Sequence, residues 1–498
     1  MRAVTGPVAV VLLSTGLASC RRPEIAPAAR DIVLGQATSA ATFDPHGRDL
    51  SQTSITLSHF FEPLVAFSAE MEVKPSLAER WENPSDTLWR LHLRRNVLFH
   101  DGRSFGAEDV AASLRRALGP GSQVRHYVQA IASVRVVDDS TVEIVTQFPA
   151  PVLLNNLVFV PIVPRDTGPE EVRDPVGTGP YRFVSGTPDG VIVGERFDRY
   201  WGPKPAFERV TIVPLPEPGD RAEAVTSGKV DIVSQYPSQS WAESRGRPDV
   251  RLVSRRGLSN VILSFSLRRE MPFADVRLRR AVALGIDREA LVRDALGGRG
   301  TRLDQVVPPS VVGYARSLPP TALDRDRARR LVVEAGFPSG IEVPLVTSDA
   351  NADVAQALGA QLVGIGIRLK LRTLPQKDFY EAWVAGETPT SLFGWAAATG
   401  DASETFGALL HSPREGYGRF NRFAYGTRRL DELIETSDRE LRPRERQDLL
   451  ARAAEVVQDE IPLVPLVLRD DLYAVRAGLE FHPRLDRRVR AFELRPIP

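Results

Sequence analysis

Side chains that could carry chemistry are few and scattered in this sequence. Cys20 is the only cysteine, which excludes a disulfide within the chain and a metal cluster built from cysteines. The 7 histidines form no metal-binding pair with helical spacing, and no Gly-x-Ser-x-Gly motif supplies a nucleophile. The sequence therefore predicts a protein that is not an enzyme, with no catalytic residue, no metal site and no cofactor.

Two local clusters could suggest a site but favour structural roles. His92 lies on the polar side of a segment with alternating apolar residues, and His100-Asp101-Gly102 is typical of a turn. The stretch Gly177-Thr178-Gly179 lacks the lysine of a P-loop and the glycine spacing of a dinucleotide-binding fold. We interpret it as a turn.

The N-terminus has the parts of a secretory signal. Arg2 supplies positive charge, residues 8–13 are apolar but too short to span a bilayer, and Leu17-Ala18-Ser19-Cys20 follows. This last stretch resembles the lipobox of bacterial lipoproteins, which implies removal of residues 1–19 and acylation of Cys20. Residues 20–30 would then form a lipidated tether. The protein would be periplasmic or at the cell surface, anchored to a membrane through Cys20.

The composition is that of an ordinary globular chain. Hydrophobic residues make up 43% of the 498 residues and charged residues 26%, which is enough for a large buried core. The 64 basic residues balance 63 acidic ones, so no electrostatic surface for nucleic acid is indicated. We therefore expect no nucleic-acid partner.

Helices and strands alternate along the chain. Residues 88–94 alternate apolar and polar side chains, as in a half-buried strand. Glu108 and Asp109 in the first turn of the next helix interact favourably with its dipole, and Gly336 is placed to end another helix. The other clear elements are strands at 31–35 and 367–372 and helices at 277–285, 288–296, 324–335 and 353–363. This pattern predicts a mixed α/β fold with several sheets.

Several motifs in a fixed order resemble one known family, the family 5 extracellular solute-binding proteins. The resemblance covers the chain from about residue 31 to residue 498. The matching stretches are Leu77–Glu82, Leu88–Gly102, Ala107–Val110, Gly177–Tyr181, Tyr200–Pro205, Ser227–Asp231, Pro272–Arg277, Arg280–Ala283, Ile286–Arg288, Gly394-Trp395 and Glu460–Pro465.

The resemblance implies a periplasmic-binding-protein-like fold of type II, with two lobes, a hinge and an extra small α/β domain. Domain I would comprise residues 31–66, 175–266 and 476–498. Domain II would be 67–174 and domain III 267–475. The ligand would lie in the cleft between domains I and III, where closure is a hinge motion.

The implied function is that of the substrate-binding subunit of an ABC importer. Such a protein captures a peptide-like solute and delivers it to a permease in the cytoplasmic membrane, and we expect it to act as a monomer. Two alternatives remain at this point: a surface peptide receptor or chaperone used for signalling, and a lipoprotein hydrolase.

The ligand itself is the least determined part of the prediction. In peptide-binding relatives an Asp after the Gly-Trp motif pairs with the ligand ammonium, and here that position is Ala398. Dipeptide-specific relatives carry an Arg where this chain has residues 351–354, which contain none. We therefore expect a longer peptide, a capped peptide or a non-peptide solute. The candidate ligand-binding residues are Trp395, Asp401, Phe43, Tyr417 and Asn421.

Overall fold

The structure, a computed structural model, describes residues 31–497. The predicted signal segment, the lipidation site Cys20 and the tether lie outside the described residues. The strands are β1 (Asp31–Gln36), β2 (Val65–Phe67), β3 (Val73–Pro75), β4 (Ala78–Ser85), β5 (Leu88–Leu93), β6 (Ile131–Asp138), β7 (Thr141–Thr146), β8 (Tyr181–Gly186), β9 (Ile192–Arg196), β10 (Arg209–Pro214), β11 (Ile232–Ser234), β12 (Val250–Phe265), β13 (Gly300–Arg302), β14 (Ile341–Ser348), β15 (Ile367–Leu374), β16 (Thr390–Ala396), β17 (Leu463–Arg476), β18 (Leu479–Glu480) and β19 (Arg495–Pro496).

The α-helices are α1 (Ser51–Leu57), α2 (Ala107–Leu118), α3 (Arg125–Val128), α4 (Leu153–Leu157), α5 (Pro218–Thr226), α6 (Ser238–Ser244), α7 (Val276–Gly285), α8 (Arg288–Ala295), α9 (Arg325–Glu334), α10 (Ala352–Val363), α11 (Gln376–Ala385), α12 (Ala402–Thr405), α13 (Arg428–Ser437) and α14 (Pro443–Glu460). Short 3₁₀ turns occur at Pro272–Ala274, Asp349–Asn351 and Ala491–Glu493, and a π-helical turn at Phe406–Leu410 follows α12. None of the helices in the described part of the chain is long and apolar enough to cross a membrane.

Local sequence explains where several helices begin and end. The Asp109 carboxylate accepts a hydrogen bond from the Gly106 backbone N–H (2.9 Å), which stabilises the start of α2. The Asp324 side chain caps α9 by accepting from Arg327 N (2.8 Å), and Gly336 follows that helix with a φ of 97°. Strand β5 buries Trp89, Leu91 and Leu93 on one face, as the alternation predicted.

A single large sheet, the main sheet, runs through most of the molecule. Its order is β15-β14-β16-β12-β17-β11-β1-β10-β9-β8, and β13 pairs with β17. The two longest strands, β12 and β17, pair along nearly their whole length. One end of this pair joins β11 and the other joins β16, so the two long strands connect the two halves of the sheet.

A second, four-stranded antiparallel sheet has the order β4-β5-β7-β6 and packs with α2, α3 and α4 around its own apolar core. This core includes Leu91, Val110 and Ile144. Other clusters lie on either side of the main-sheet half with β14 to β16, and another lies in the half with β1 and β8 to β11. The predicted mixed α/β, type II fold with an extra small α/β unit is confirmed.

Candidate functional site

The two halves of the main sheet present the carboxyl ends of their parallel strands to each other. Strands β1 and β11 are parallel and end at Gln36 and Ser234, and Ser234 pairs with Tyr473 in β17. In the other half, β14 and β16 are parallel, and the last residue of β16, Ala396, pairs with Ser259 in β12. In open α/β sheets, ligands bind outside the carboxyl ends of strands. The space between these two sets of ends is the cleft.

The floor of the cleft is an irregular segment of the β12–β17 pair, which we call the hinge segment. Arg256 pairs with Asp470 and Asn260 with Leu468, so residues 257–259 lie opposite the single residue Arg469. A bulge of this kind interrupts the ladder and permits bending. A Cβ at Gly257 would overlap the Asp471 carboxylate, so a larger residue here would displace that side chain. Burial raises the pKa of Asp471 to about 7.

A first cavity of about 140 Å³, the edge cavity, opens beside the ends of β1 and β11. It is lined by Gln36, Gln52 and Tyr473, among others. Tyr473 is 1% exposed, and its hydroxyl and the Gln52 Nε2 have no hydrogen-bond partner among residues 31–497. Buried polar groups without partners are costly, so these two groups are expected to bond to a ligand or to water.

Two arginines lie near the place where α6 approaches the start of α10. Arg469 Nη2 donates to Asn351 Oδ1 (3.0 Å), and Arg299 Nη2 donates to the Ser238 carbonyl (3.2 Å). Within the described chain, the Nε atoms of both arginines are buried without a partner. The guanidinium of Arg469, from β17, therefore lies beside residues 351–354. This is the stretch where an arginine was expected in a dipeptide-binding relative and where this sequence has none.

A second cavity of about 130 Å³, the junction cavity, lies between the four-stranded unit and the half of the molecule that carries α12. Tyr127, Phe148 and Tyr417 supply its aromatic walls. Glu404 lies at its edge, with Oε2 inaccessible and unpaired within residues 31–497. The π-helical turn Phe406–Leu410 begins two residues later, a local geometry that is frequent at functional sites.

Charges in the junction cavity are dominated by carboxylates. Arg419 lies 3.5 Å from both Glu404 Oε1 and Asp49 Oδ2. Burial raises the pKa of Glu404 to about 7, although Arg419 opposes the shift, and burial raises the pKa of Asp438 to about 6. His126 lies 3.3 Å from Asp49, but burial lowers its pKa to about 3, so its imidazole is neutral at ordinary pH.

Two of the predicted ligand-binding residues are at least partly accessible. Tyr417 lines the junction cavity, and its hydroxyl donates to Asp438 Oδ2 (2.8 Å). Trp395 is half-buried at the end of β16, with its indole Nε1 donating to Thr405 Oγ1 (3.1 Å) and its ring edge-on to Phe420. Both positions are compatible with contact to a ligand in the cleft, and their roles stay predictions.

The other three predicted residues are occupied by structural contacts. Asp401 is 4% exposed, and its two oxygens accept from Arg446 Nη1 and Nη2 at 2.7 Å each. The Asn421 amide donates to the His411 and Tyr425 carbonyls, and Phe43 packs edge-on against Phe183 in the core behind β1. These contacts bury Phe43 and engage the side chains of Asp401 and Asn421, and the ligand-binding roles of the three residues stay predictions.

The two local clusters have structural surroundings. His100 Nε2 contacts the Gly179 carbonyl (3.0 Å), and His92 contacts the exposed Glu82 (3.0 Å). Gly177 and Gly179 pack directly on the backbone at Phe60, where a Cβ on either would collide. In residues 31–497, no group of three or more histidine, cysteine or acidic side chains is arranged to hold a metal ion.

Several residues of the site were not predicted from the sequence. Glu404, Asp438 and Arg419 come together only because the π-helical turn, α13 and the loop before it fold onto one cavity. In the sequence, Glu404 is simply an acid in the first turn of a short helix, where acids are common. The acids of the hinge segment carry no local signal either, since Asp470 and Asp471 lie within β17 after an ordinary apolar run.

A two-lobed fold with polar cavities on either side of a hinge defines a ligand-binding protein. The sequence matches the bacterial extracellular solute-binding proteins, family 5, over residues 72–417. The chain belongs to this family, as the motifs predicted. As a member of this family it is an extracellular solute-binding protein.

Individual relatives are similar along almost the whole chain. The glutathione-binding protein GsiB of Salmonella choleraesuis (strain SC-B67) is 29% identical over 476 residues, 92% of each chain. The Helicobacter pylori periplasmic binding protein DppA in complex with the peptide STSA superposes with a TM-score of 0.83 at 22% identity, covering 94% of this chain and 98% of that one. Bacillus subtilis AppA in complex with a nonapeptide gives 0.81 at 19% identity, with 94% and 98% covered. These two structures share the fold.

Proposed function

We propose that the protein captures a peptide-like solute in the cleft and delivers it to an ABC permease. The observation that carries the proposal is a set of buried polar atoms that lack partners in residues 31–497: Tyr473 Oη and Gln52 Nε2 at the edge cavity, Glu404 Oε2 at the junction cavity, and Arg469 Nε beside Asn351. They comprise neutral donors, a guanidinium and a carboxylate. Together they complement the amides, the carboxylate and the ammonium of a peptide-like molecule.

The relatives narrow the choice of first probes. GsiB is named as a glutathione-binding protein, and the two structural relatives hold a tetrapeptide and a nonapeptide. Glutathione is a short, chemically modified peptide with two carboxylates and one ammonium. Arg469 beside Asn351 supports a ligand with a carboxylate despite the lack of arginine in residues 351–354.

The proposal includes the arrangement of the whole chain. Cys20 would carry the lipid that tethers the mature protein to a membrane, and residues 1–19 would be removed. Three domains would follow the apolar cores, with domain II at 67–174. We place the boundaries of domains I and III inside β12 and β17, at the hinge segment, ahead of the positions 266 and 475 expected from the family.

Ligand capture predicts a rise in the midpoint of thermal unfolding with glutathione or the peptide STSA and none with nucleotides. A ligand at a hundred times its Kd stabilises the folded state by about 2.7 kcal/mol. Trp395→Ala should weaken binding, whereas Tyr380→Ala, which truncates an exposed aromatic residue on α11, should not. Unchanged affinity in Trp395→Ala would remove that residue from the site.

Mass spectrometry of protein extracted from membranes tests both parts of the proposal. Under denaturing conditions it should release a bound peptide-like solute and give the mass of a chain that begins at an acylated Cys20. Absence of any bound solute, together with no thermal shift from glutathione, STSA or nonapeptides, would contradict peptide capture. An unmodified Cys20 would contradict the anchor alone.

A further inference from the structure

The carboxylate nearest to the family's ammonium-binding position is already neutralised. Asp401 forms a bidentate ion pair with Arg446 and also accepts from Ser403 N (3.0 Å). Both partners are buried, so a ligand ammonium would have to break a pair whose disruption is expensive. A positively charged ligand group therefore needs another carboxylate.

Glu404, three residues further along the chain, has no bidentate ion pair of this kind in the described residues. Its side chain is only 16% exposed, and Oε2 is inaccessible to solvent and unpaired within the described residues. Oε1 makes a long contact of 3.5 Å to Arg419, which Asp49 shares at the same distance. Burial removes this carboxylate from water, and no close ion pair compensates in the described residues. Its ionised form therefore costs free energy unless a cation binds to it.

The walls of the junction cavity combine aromatic rings with a second carboxylate. Tyr127, Phe148 and Tyr417 supply the rings, and Asp438 supplies the carboxylate. Arg419 is the one guanidinium that lines this cavity in residues 31–497, and it also contacts the carboxylate of Asp49. Arg414 and Arg439 lie against the rings of Tyr417 and Phe148 at 5.0 and 5.1 Å.

We propose that Glu404 is the specificity-determining residue that binds the ammonium group of the ligand, with the junction cavity as its subsite. This inference rests on the proposed capture of a peptide-like solute and names the end of that solute that enters this cavity. The ammonium donates to Glu404 Oε2. The rest of the ligand extends along the cleft toward the hinge segment.

The test compares ligands with and without the positive charge. Isothermal titration calorimetry would use STSA and glutathione, each beside its N-acetylated form. Acetylation should weaken binding to the wild type by about 30-fold or more, the effect expected when one partner of a buried charge pair is lost. In Glu404→Gln, the free and acetylated forms should bind within about threefold of each other, and the free form about 30-fold more weakly than to the wild type.

Glu432→Gln is the matched control, because Glu432 is 60% exposed on α13 and pairs only with Arg428 in the described structure. It should keep the full effect of acetylation. Equal binding of both forms by the wild type would overturn the assignment even if Glu404→Gln failed to fold. A variant that still discriminates the two forms would also overturn it while leaving peptide capture intact. Failure of the wild type to bind any of the four compounds would instead overturn the proposed function.

Discussion

At the scale of single residues, two acids three positions apart have opposite roles. Asp401 and Glu404 lie in the same short helical turn, yet only Asp401 meets an arginine in a bidentate pair. That arginine, Arg446, comes from α14, 45 residues later. The partner, and not the local sequence, makes one carboxylate structural and leaves the other available to a ligand.

The raised pKa of Glu404 predicts that, without ligand, the wild type and Glu404→Gln differ in stability in a pH-dependent way. Its pKa is raised to about 7 by burial, so ionisation in the folded state is unfavourable above the ordinary pKa of a glutamate. The stabilisation that comes from the protonated form is fully present at acidic pH and is lost as the pH rises through about 7. We therefore expect similar urea midpoints at pH 4.5 and a variant that is more stable at pH 8 by about 1–3 kcal/mol.

Other charged groups around Glu404 would also contribute to the dependence of stability on pH. The quantity to compare is therefore the difference in stability between the wild type and Glu404→Gln at each pH. They are Arg419, Asp49, Asp438, His126, Tyr127, Tyr417, Arg414 and Arg439. All are present in both proteins, which isolates the titration of Glu404. A constant difference between pH 4.5 and pH 8 would contradict a raised pKa at this residue.

At the scale of elements, the segment that contains Gly177 and Gly179 packs the start of β8 against the backbone at Phe60. Gly179 N donates to the Phe60 carbonyl (2.9 Å), and His100 N donates to the Gly177 carbonyl (2.9 Å). A Cβ at Gly177 would overlap the Phe60 carbonyl oxygen. This family motif is thus a close approach between three chain segments, and only glycine permits it.

Gly177→Ala should lower the free energy of unfolding by about 2–4 kcal/mol, because backbone atoms rather than a flexible side chain must move. Gly219→Ala is the matched control, since no atom of the described structure lies within 4 Å of a Cβ there. In the first turn of α5 that change should be neutral or stabilising by up to about 1 kcal/mol. Urea unfolding measures both, and equal stabilities would contradict the close packing at Gly177.

At the scale of the whole molecule, several polar contacts connect parts of the chain that would move apart on opening. Arg419 reaches Asp49 at 3.5 Å, Gln239 Nε2 reaches Asp353 at 3.3 Å, and Asn155 Nδ2 donates to the Thr399 carbonyl (2.9 Å). Partly exposed contacts of this kind contribute only about 0–1 kcal/mol each. A ligand that binds both walls can therefore decide between the open and closed states through its differential affinity.

Small-angle X-ray scattering should show this shift. The radius of gyration of the wild type should fall when a binding ligand saturates the cleft. Asn155→Ala, which removes one closing contact, should shift the ligand-free protein toward the larger radius and reach the same small radius with ligand. A radius that does not change on binding would contradict hinge closure.

The sequence by itself determined the family, the class of function and most element positions. Amphipathic periodicity and capping residues are local, so α2, α9 and β5 lie where the pattern predicted. The ordered motifs predicted a solute-binding protein of family 5, which the match over residues 72–417 confirms. The lipid anchor at Cys20 is also a purely local inference, and it stays a prediction.

Tertiary structure alone decided which polar groups face the cleft. Asp401 looked available in the sequence, but the fold brings Arg446 to it, while Arg469 arrives beside Asn351 from a strand 118 residues away. Neither pairing has a local signal, because an ion pair depends on distance in space and not on spacing along the chain. The proposed site uses polar atoms that the fold leaves without partners in residues 31–497, Glu404 Oε2 among them.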